Sequence, residues 1–212
     1  MRWAAPAAED PLPDATVAYV RTETFFTARA HTAGLRALEA ALDSAPSPRT
    51  PDEKAARGAL HMRAAVIAGR ARMPDVATRH LDEARRFGDE VPEDVYGGTA
   101  FGPSSVRIHE AAVAVGLGDE HARRVLNVAN EWAPPADMPT ERRSGFHIEV
   151  ARAQLWAGLP DDAYDSLKVA RRLAPQHTRE HRWVREDIVK VRRLKRVPSE
   201  ELTRFMAWCQ AL

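Results

Sequence analysis

Apolar residues recur along this chain at steps of three and four positions, and no segment alternates apolar and polar residues as a half-buried strand does. That period is typical of amphipathic α-helices. Capping residues, prolines and glycines divide the sequence into about ten helices. The predicted caps include a capping box at Thr50 and Glu53 and a cap at Ser104 or Ser105. The predicted helices cover approximately residues 14–28, 32–44, 51–70, 73–88, 104–118, 120–131, 140–158, 160–173, 178–196 and a last one that begins at the capping residue Ser199.

The segment AGLPDDAYDSLKVARRLAP, residues 157–175, carries small and large apolar residues at fixed steps. Alanine is followed by leucine, alanine and proline at the spacing of a tetratricopeptide helical hairpin. The small residues let two helices approach closely, and the proline ends the second helix. The residues that carry this pattern, wholly or in part, are Ala163, Leu167, Ala170 and Pro175; Ala122, Leu126, Ala129 and Pro134; Ala77, Leu81 and Ala84; and Gly34, Leu38, Ala41 and Pro46.

This recurrence predicts an all-α, tetratricopeptide-like (TPR-like) helical hairpin solenoid of about ten helices. The period is roughly 43 residues where about 34 is usual, so we expect extended helices or loops between the pairs. An ordinary helical bundle with alanine-rich contacts is the alternative. We expect a disordered or extended segment over residues 1–13 and the repeat domain over residues 14–212.

Composition narrows the classes of function. Lys and Arg number 31 against 30 Asp and Glu, for a formal net charge of +1, so we expect no direct nucleic acid binding from this chain alone. No stretch approaches about 20 consecutive apolar residues, which predicts no membrane span. The single cysteine, Cys209, and the lack of a secretory signal pattern favour a cytoplasmic protein.

Sequence motifs for catalysis are missing as well. There is no nucleophile elbow, phosphate-binding loop or dinucleotide fingerprint, and Cys209 has no evident base partner. His177 and His181 are four positions apart, a spacing that can hold a metal on one helix face, but no third ligand is evident. We therefore expect a protein that is not an enzyme, with no catalytic residues, metal or cofactor.

Three further stretches carry a family resemblance. They are GALHMRAAVIAGRAR (58–72), TAFGPSSVRIHEAAVAVGLGD (99–119) and IEVARAQLWAGLPDDAYDSLKVARRLAPQHTREHRWVRE (148–186). Together they resemble the C-terminal tetratricopeptide domain of actinobacterial XRE-family helix-turn-helix transcriptional regulators, over roughly residues 15–210. The resemblance implies a ligand-sensing or protein-interaction domain of a bacterial transcriptional regulatory system. A stand-alone TPR scaffold or adaptor and a biosynthetic tailoring enzyme on a helical-repeat scaffold are the alternatives.

Two of the chain's departures from that family bear on function. No helix-turn-helix sequence is found, so we expect the DNA-binding domain to be lost, excised or encoded separately. Ser104-Ser105 follows Phe-Gly-Pro where the family often has Thr-Asn, so an asparagine amide for a peptide backbone is missing. The resemblance therefore carries no peptide specificity over to this chain.

Candidate binding residues follow from the predicted solenoid. The first helix of each hairpin lines the concave face, where binding usually occurs. Arginine there would grip a carboxylate, and aromatic rings would supply contact area. Core packing is the competing interpretation for each side chain, and a homodimer seam at Trp183 and Trp208 stays open. The predicted groove for a peptide, small molecule or protein partner consists of Tyr19, Phe26, Arg63, Ser105, His109, Glu149, Arg152 and Trp156.

Overall fold

A computed structural model describes residues 30–195 and 199–211 of the chain. The chain divides into two compact units, Met1–Leu117 and Gly118–Leu212. The described residues form ten α-helices, one short 3-10 helix and one two-stranded hairpin, so the predicted all-α class is confirmed apart from that hairpin. In these ranges no helix combines the length and the hydropathy that crossing a bilayer requires. The predicted boundary at residue 14 lies outside them.

The first unit is built around one central helix. In chain order its elements are α1 (His31–Ser44), α2 (Pro51–Arg70), α3 (Pro74–Gly88), β1 (Asp94–Tyr96), β2 (Thr99–Phe101) and α4 (Pro103–Leu117). Helix α2 begins at the predicted capping box, in which Thr50 and Glu53 bond each other's backbone N–H groups. It packs against α1, α3, α4 and both strands, and is buried along most of its length.

The hairpin corrects the prediction that no segment is a strand. Strands β1 and β2 pair antiparallel, with Tyr96 opposite Thr99. The loop between them is Gly97-Gly98, and both glycines have positive φ, at 53° and 84°. A two-residue loop with φ above zero at both positions suits the twist of antiparallel strands. The Gly-Gly pair is therefore a hairpin signal in the sequence. Each flanking strand is only three residues long, too short to show an alternating pattern of apolar and polar residues.

The second unit also has a buried central helix. Its elements are a 3-10 turn (Asp119–His121), α5 (Ala122–Glu131), α6 (Thr140–Trp156), α7 (Pro160–Leu173), α8 (Pro175–Glu180), α9 (Arg182–Leu194) and α10 (Glu200–Trp208). Helix α6 packs against α5, α7, α8 and α9. Its buried residues run through almost all of its faces, from Ser144 to Leu155.

Two predicted helix starts are wrong. The helix expected to begin at Thr178 is two helices, because the backbone of His181 is extended, with ψ of 118°, between α8 and α9. Neither Ser104 nor Ser105 caps α4, because both lie within its first turn. The cap comes instead from Glu93, whose carboxylate accepts hydrogen bonds from the Ser105 N–H at 2.8 Å and from the Ser105 hydroxyl. Ser199 caps α10 as predicted.

The hairpins α2–α3 and α6–α7 share one turn geometry. At the same three steps of the turn, backbone N–H groups bond carbonyls four, three and five residues back. The middle step has positive φ in both, 58° at Arg72 and 76° at Gly158. These two residues are 86 positions apart, which is twice the sequence period. The alanines at the matched positions of α3 and α7 are fully buried, as the sequence pattern requires: Ala77, Ala84, Ala163 and Ala170.

We expect Gly158→Ala to lower the free energy of unfolding by about 1–2 kcal/mol, because an L side chain is disfavoured at positive φ. A Cβ there would meet no atom within 4 Å, so the cost is one of backbone conformation alone. Urea titration measures it. Gly158→Asn is the control, since asparagine tolerates this region better and should cost less. Equal losses for the two variants would contradict the explanation.

Gly58→Ala should lower the free energy of unfolding by about 2–3 kcal/mol through overpacking. Gly58 lies in α2 under the fully buried ring of Phe101 from β2, and an added Cβ would lie within 3.0 Å of three ring atoms. The double variant Gly58→Ala with Phe101→Leu supplies room for the methyl group. Its measured loss should be smaller than the sum of the two single losses, and strict additivity would refute the contact as the cause.

Candidate functional site

Arg152 is a charged residue on the central helix of the second unit. It lies on α6, and only 8% of its surface is exposed. A buried guanidinium is costly unless its N–H groups find acceptors. The acceptors come from α9, which packs along α6.

Two consecutive carboxylates of α9 face this guanidinium. The Nη2 atom of Arg152 donates to Oε2 of Glu186 at 2.9 Å and lies 3.4 Å from Oδ1 of Asp187. The second oxygen of Glu186 lies 3.5 Å from Nη2 of Arg182. Glu186 therefore stands between two guanidinium groups, and its side chain is 45% exposed.

Two tryptophan rings complete the surroundings of the guanidinium. Its Cζ atom lies 4.4 Å from the ring centre of Trp183 and 5.9 Å from that of Trp156. Both distances are in the range of a cation–π interaction. We call Arg152, Trp156, Trp183, Glu186 and Asp187 together the Arg152 cluster.

Asp187 is the least favourably placed carboxylate of the cluster. Its carboxylate is fully buried, and neither oxygen has a hydrogen-bond partner. Burial raises the pKa of this carboxyl to about 6, against the opposing charges of Arg152 and Lys190. The best hydrogen bond of Arg152 goes to Glu186, so the guanidinium compensates the burial of Asp187 only in part.

Glu186 responds in the opposite direction. Partial burial acts to raise its pKa, but the hydrogen bond from Arg152 and the charges of Arg152, Arg182 and Lys190 hold the pKa below its ordinary value. Near neutral pH the cluster thus contains an ionised, half-exposed carboxylate beside a buried one that is close to its titration point.

Three of the predicted groove residues lie on one face of α6. Glu149, Arg152 and Trp156 are separated by three and four positions, a spacing that places side chains on the same side of a helix. Glu149 is 7% exposed and Trp156 is half-buried. The second unit therefore brings two of the predicted residues, Arg152 and Trp156, into the cluster described above.

The other predicted groove residues do not join it. Arg63, Ser105 and His109 belong to the first unit, where Arg63 is half-buried on α2. Ser105 is fully buried, and its carbonyl accepts from Nδ1 of His109 at 2.8 Å, so both residues take part in local bonding within α4. Tyr19 and Phe26 lie outside the described residues.

A second polar group in this unit lies where α6 meets α8. Ser144 shares hydrogen bonds of 3.1 Å with the Thr178 hydroxyl and with Nδ1 of His177. The His177 and His181 rings are 5.6 Å apart, centre to centre. Within the part of the chain that the structure describes, no group of three or more His, Cys, Asp or Glu side chains is placed to hold a metal ion.

Glu186 and Asp187 belong to the site but are not among the residues predicted from the sequence, although the sequence contains a signal for Asp187. The buried stripe of α9 consists of Trp183, Val184, Asp187, Ile188 and Val191. Four of these residues are apolar and fit the helical period, so the acidic residue among them occupies a core position. A carboxylate on an apolar stripe predicts a buried partner, and that partner is Arg152.

Comparison with known proteins adds no relative. No family model, no curated protein and no solved structure matches the chain. Function is therefore inferred from the residues of this chain.

We expect Asp187→Asn to change how the stability of the second unit depends on pH. The carboxyl pKa is raised from 3.8 to about 6 by folding, so its contribution to stability is present below about pH 4 and lost as the pH rises through about 6. The unfolding free energy of the wild type minus that of the variant should fall by about 1 kcal/mol between about pH 5 and about pH 7.5.

Urea titration followed by tryptophan fluorescence measures this difference, since Trp132, Trp156, Trp183 and Trp208 all lie in the second unit. Burial also lowers the pKa values of His147 and His177, but their contributions are the same in both proteins and cancel. Asp165→Asn, at a side chain that is 69% exposed, is the matched control. A difference that stays constant with pH would contradict the assignment.

Proposed function

We propose that this chain is a TPR-like ligand-sensing domain of a bacterial transcriptional regulatory system, and that its second unit binds an acidic ligand at the Arg152 cluster. The repeated turn of the hairpins α2–α3 and α6–α7, with buried alanines at matched positions, supports the TPR-like interpretation. The family resemblance of the sequence supplies the regulatory context.

The half-exposed position of Glu186 between Arg152 and Arg182 is the observation that carries the binding proposal. Both guanidinium groups face a carboxylate that solvent can reach. A carboxylate from a peptide terminus or an organic acid presents the same acceptor geometry as the Glu186 side chain. The ligand would displace Glu186 and take its place on the guanidinium groups.

Displacement of the Glu186 carboxylate by a ligand would alter the contact between two helices. The hydrogen bond from Arg152 joins α6 to α9, and it is broken when a ligand replaces the Glu186 carboxylate. Trp183 and Trp156 would supply contact area beside the new ion pair. A ligand that changes the contact between two packed helices shifts the population of their arrangements, which is how a sensor transmits binding.

Native mass spectrometry of the chain, purified gently from its own host, tests this proposal. We expect the wild type to carry an additional bound mass. The occupancy of this mass should fall at least about tenfold in Arg152→Gln, because a neutral amide cannot replace the two charged N–H donors of the guanidinium group. Glu186→Gln should raise the occupancy, since a neutral amide competes poorly for the guanidinium. Arg204→Gln is the matched control, at an arginine of the same unit whose side chain is 70% exposed.

Two results would contradict the proposal. One is a bound mass that persists unchanged in Arg152→Gln, which would place the ligand elsewhere. The other is a wild-type chain that carries no small molecule and is not stabilised by any member of a library of organic acids and carboxyl-terminal peptides. In that case the scaffold interpretation would take its place, with a protein partner sought by affinity capture.

A further inference from the structure

Two histidine rings meet between the helices of the first unit. Nδ1 of His61, on α2, lies 3.0 Å from Nδ1 of His80, on α3. The ring centres are 5.2 Å apart, and the His80 side chain is 12% exposed. A hydrogen bond between two imidazole nitrogens requires that one carries a proton and the other a free lone pair.

The surroundings of the pair assign these roles. Oε1 of Glu39, on α1, lies 3.5 Å from Nε2 of His80, so that nitrogen carries the hydrogen. The Nδ1 atom of neutral His80 then has the lone pair, and Nδ1–H of His61 donates to it. The His61 ring stacks against Phe87 of α3, with ring centres 6.0 Å apart. These three contacts together join α1, α2 and α3.

The charged groups around the pair come from the same three helices. Glu39 of α1 and Glu83 of α3 favour a positive charge on the rings, and Arg57 of α2 disfavours it. Arg79 and Arg86, both on α3, also disfavour it. Glu83 is bonded to Arg86 at 2.6 Å, which reduces the influence of its charge on the histidines.

The neutral pair can take up one additional proton without losing its hydrogen bond, but it cannot take up two. A singly protonated pair keeps an N–H group facing a lone pair, and Glu39 accepts from the other nitrogen of His80. With two protons, both Nδ1 atoms carry hydrogens at a separation of 3.0 Å, and two positive rings face each other in a largely buried site. The hydrogen bond is then lost and replaced by repulsion.

We propose that the His61–His80 pair is an acid-sensitive latch that keeps α1, α2 and α3 packed while one Nδ1 is unprotonated and lets them separate when both are protonated. This device belongs to the first unit and is independent of the ligand site proposed for the second. It makes acidification a signal to which the chain responds.

The direction of the effect follows from the pKa values. Burial, and then the charge of His80, lower the pKa of His61 from 6.5 to about 4, and burial lowers the pKa of His80 as well. The unfolded chain takes up protons near 6.5, before the folded pair does. The stability that the neutral pair contributes is therefore present above pH 6.5 and lost as the pH falls from 6.5 through about 4.

Hydrogen exchange with mass spectrometry on the full chain tests the latch. For peptides from α1, α2 and α3, the opening equilibrium constant should rise about 20-fold between about pH 7 and about pH 5, after correction for the intrinsic exchange rate. In His61→Phe most of this rise should vanish, because phenylalanine keeps the stack on Phe87 and cannot be protonated. Peptides of the second unit are read separately, since partial burial also lowers the pKa values of His147 and His177.

A second measurement needs no variant. Proton titration of the wild-type imidazoles by NMR should give an apparent pKa for His61 well below the ordinary imidazole value of about 6.5. His121, in the second unit, has a side chain that is 34% exposed. His121→Asn is the matched control in the exchange experiment and should leave the rise in the first unit unchanged. The proposal is overturned if His61 titrates near 6.5, or if His61→Phe and the wild type show the same corrected rise.

Discussion

Burial of a long helix on nearly all sides is the constraint on which both units depend. Helices α2 and α6 each contact three or more neighbouring elements, so few of their faces reach water. Polar groups on such a helix lose their hydration and must find partners in the protein. His61 on α2 and Arg152 on α6 are two such groups. Their partners, His80 and the Glu186–Asp187 pair, come from the helices that pack alongside.

The two units solve this problem with different chemistry. The first keeps its buried pair neutral, because burial lowers the pKa of both imidazoles. The second keeps a cation and pairs it with two carboxylates, one of which remains buried without a hydrogen bond. Their responses to pH therefore differ in sign. A lower pH reduces the stability that the neutral imidazole pair contributes, whereas it protonates Asp187 and so removes the cost of its buried charge.

The equivalent turns show how one backbone geometry accepts different residues. Gly158 occupies the left-handed position at no steric cost. Arg72 occupies the same position in the other hairpin, where its side chain donates to the carbonyl of Leu117 at the end of α4. A side-chain contact thus accompanies the less favourable backbone conformation at Arg72. The repeat preserves the turn and the alanines rather than the identity of each residue.

The sequence by itself determined the helical class, the limits of α2, α3 and α7, and the caps at Thr50 and Ser199, because these depend on periodicity and on local hydrogen bonds. It also placed Arg152 and Trp156 among the candidate residues. Tertiary structure alone decided their partners. The cap of α4 by Glu93, the contact of Arg152 with Asp187 and the contact of His61 with His80 join residues distant in sequence. Such contacts depend on which helix packs beside which, and periodicity within one segment carries no information about that.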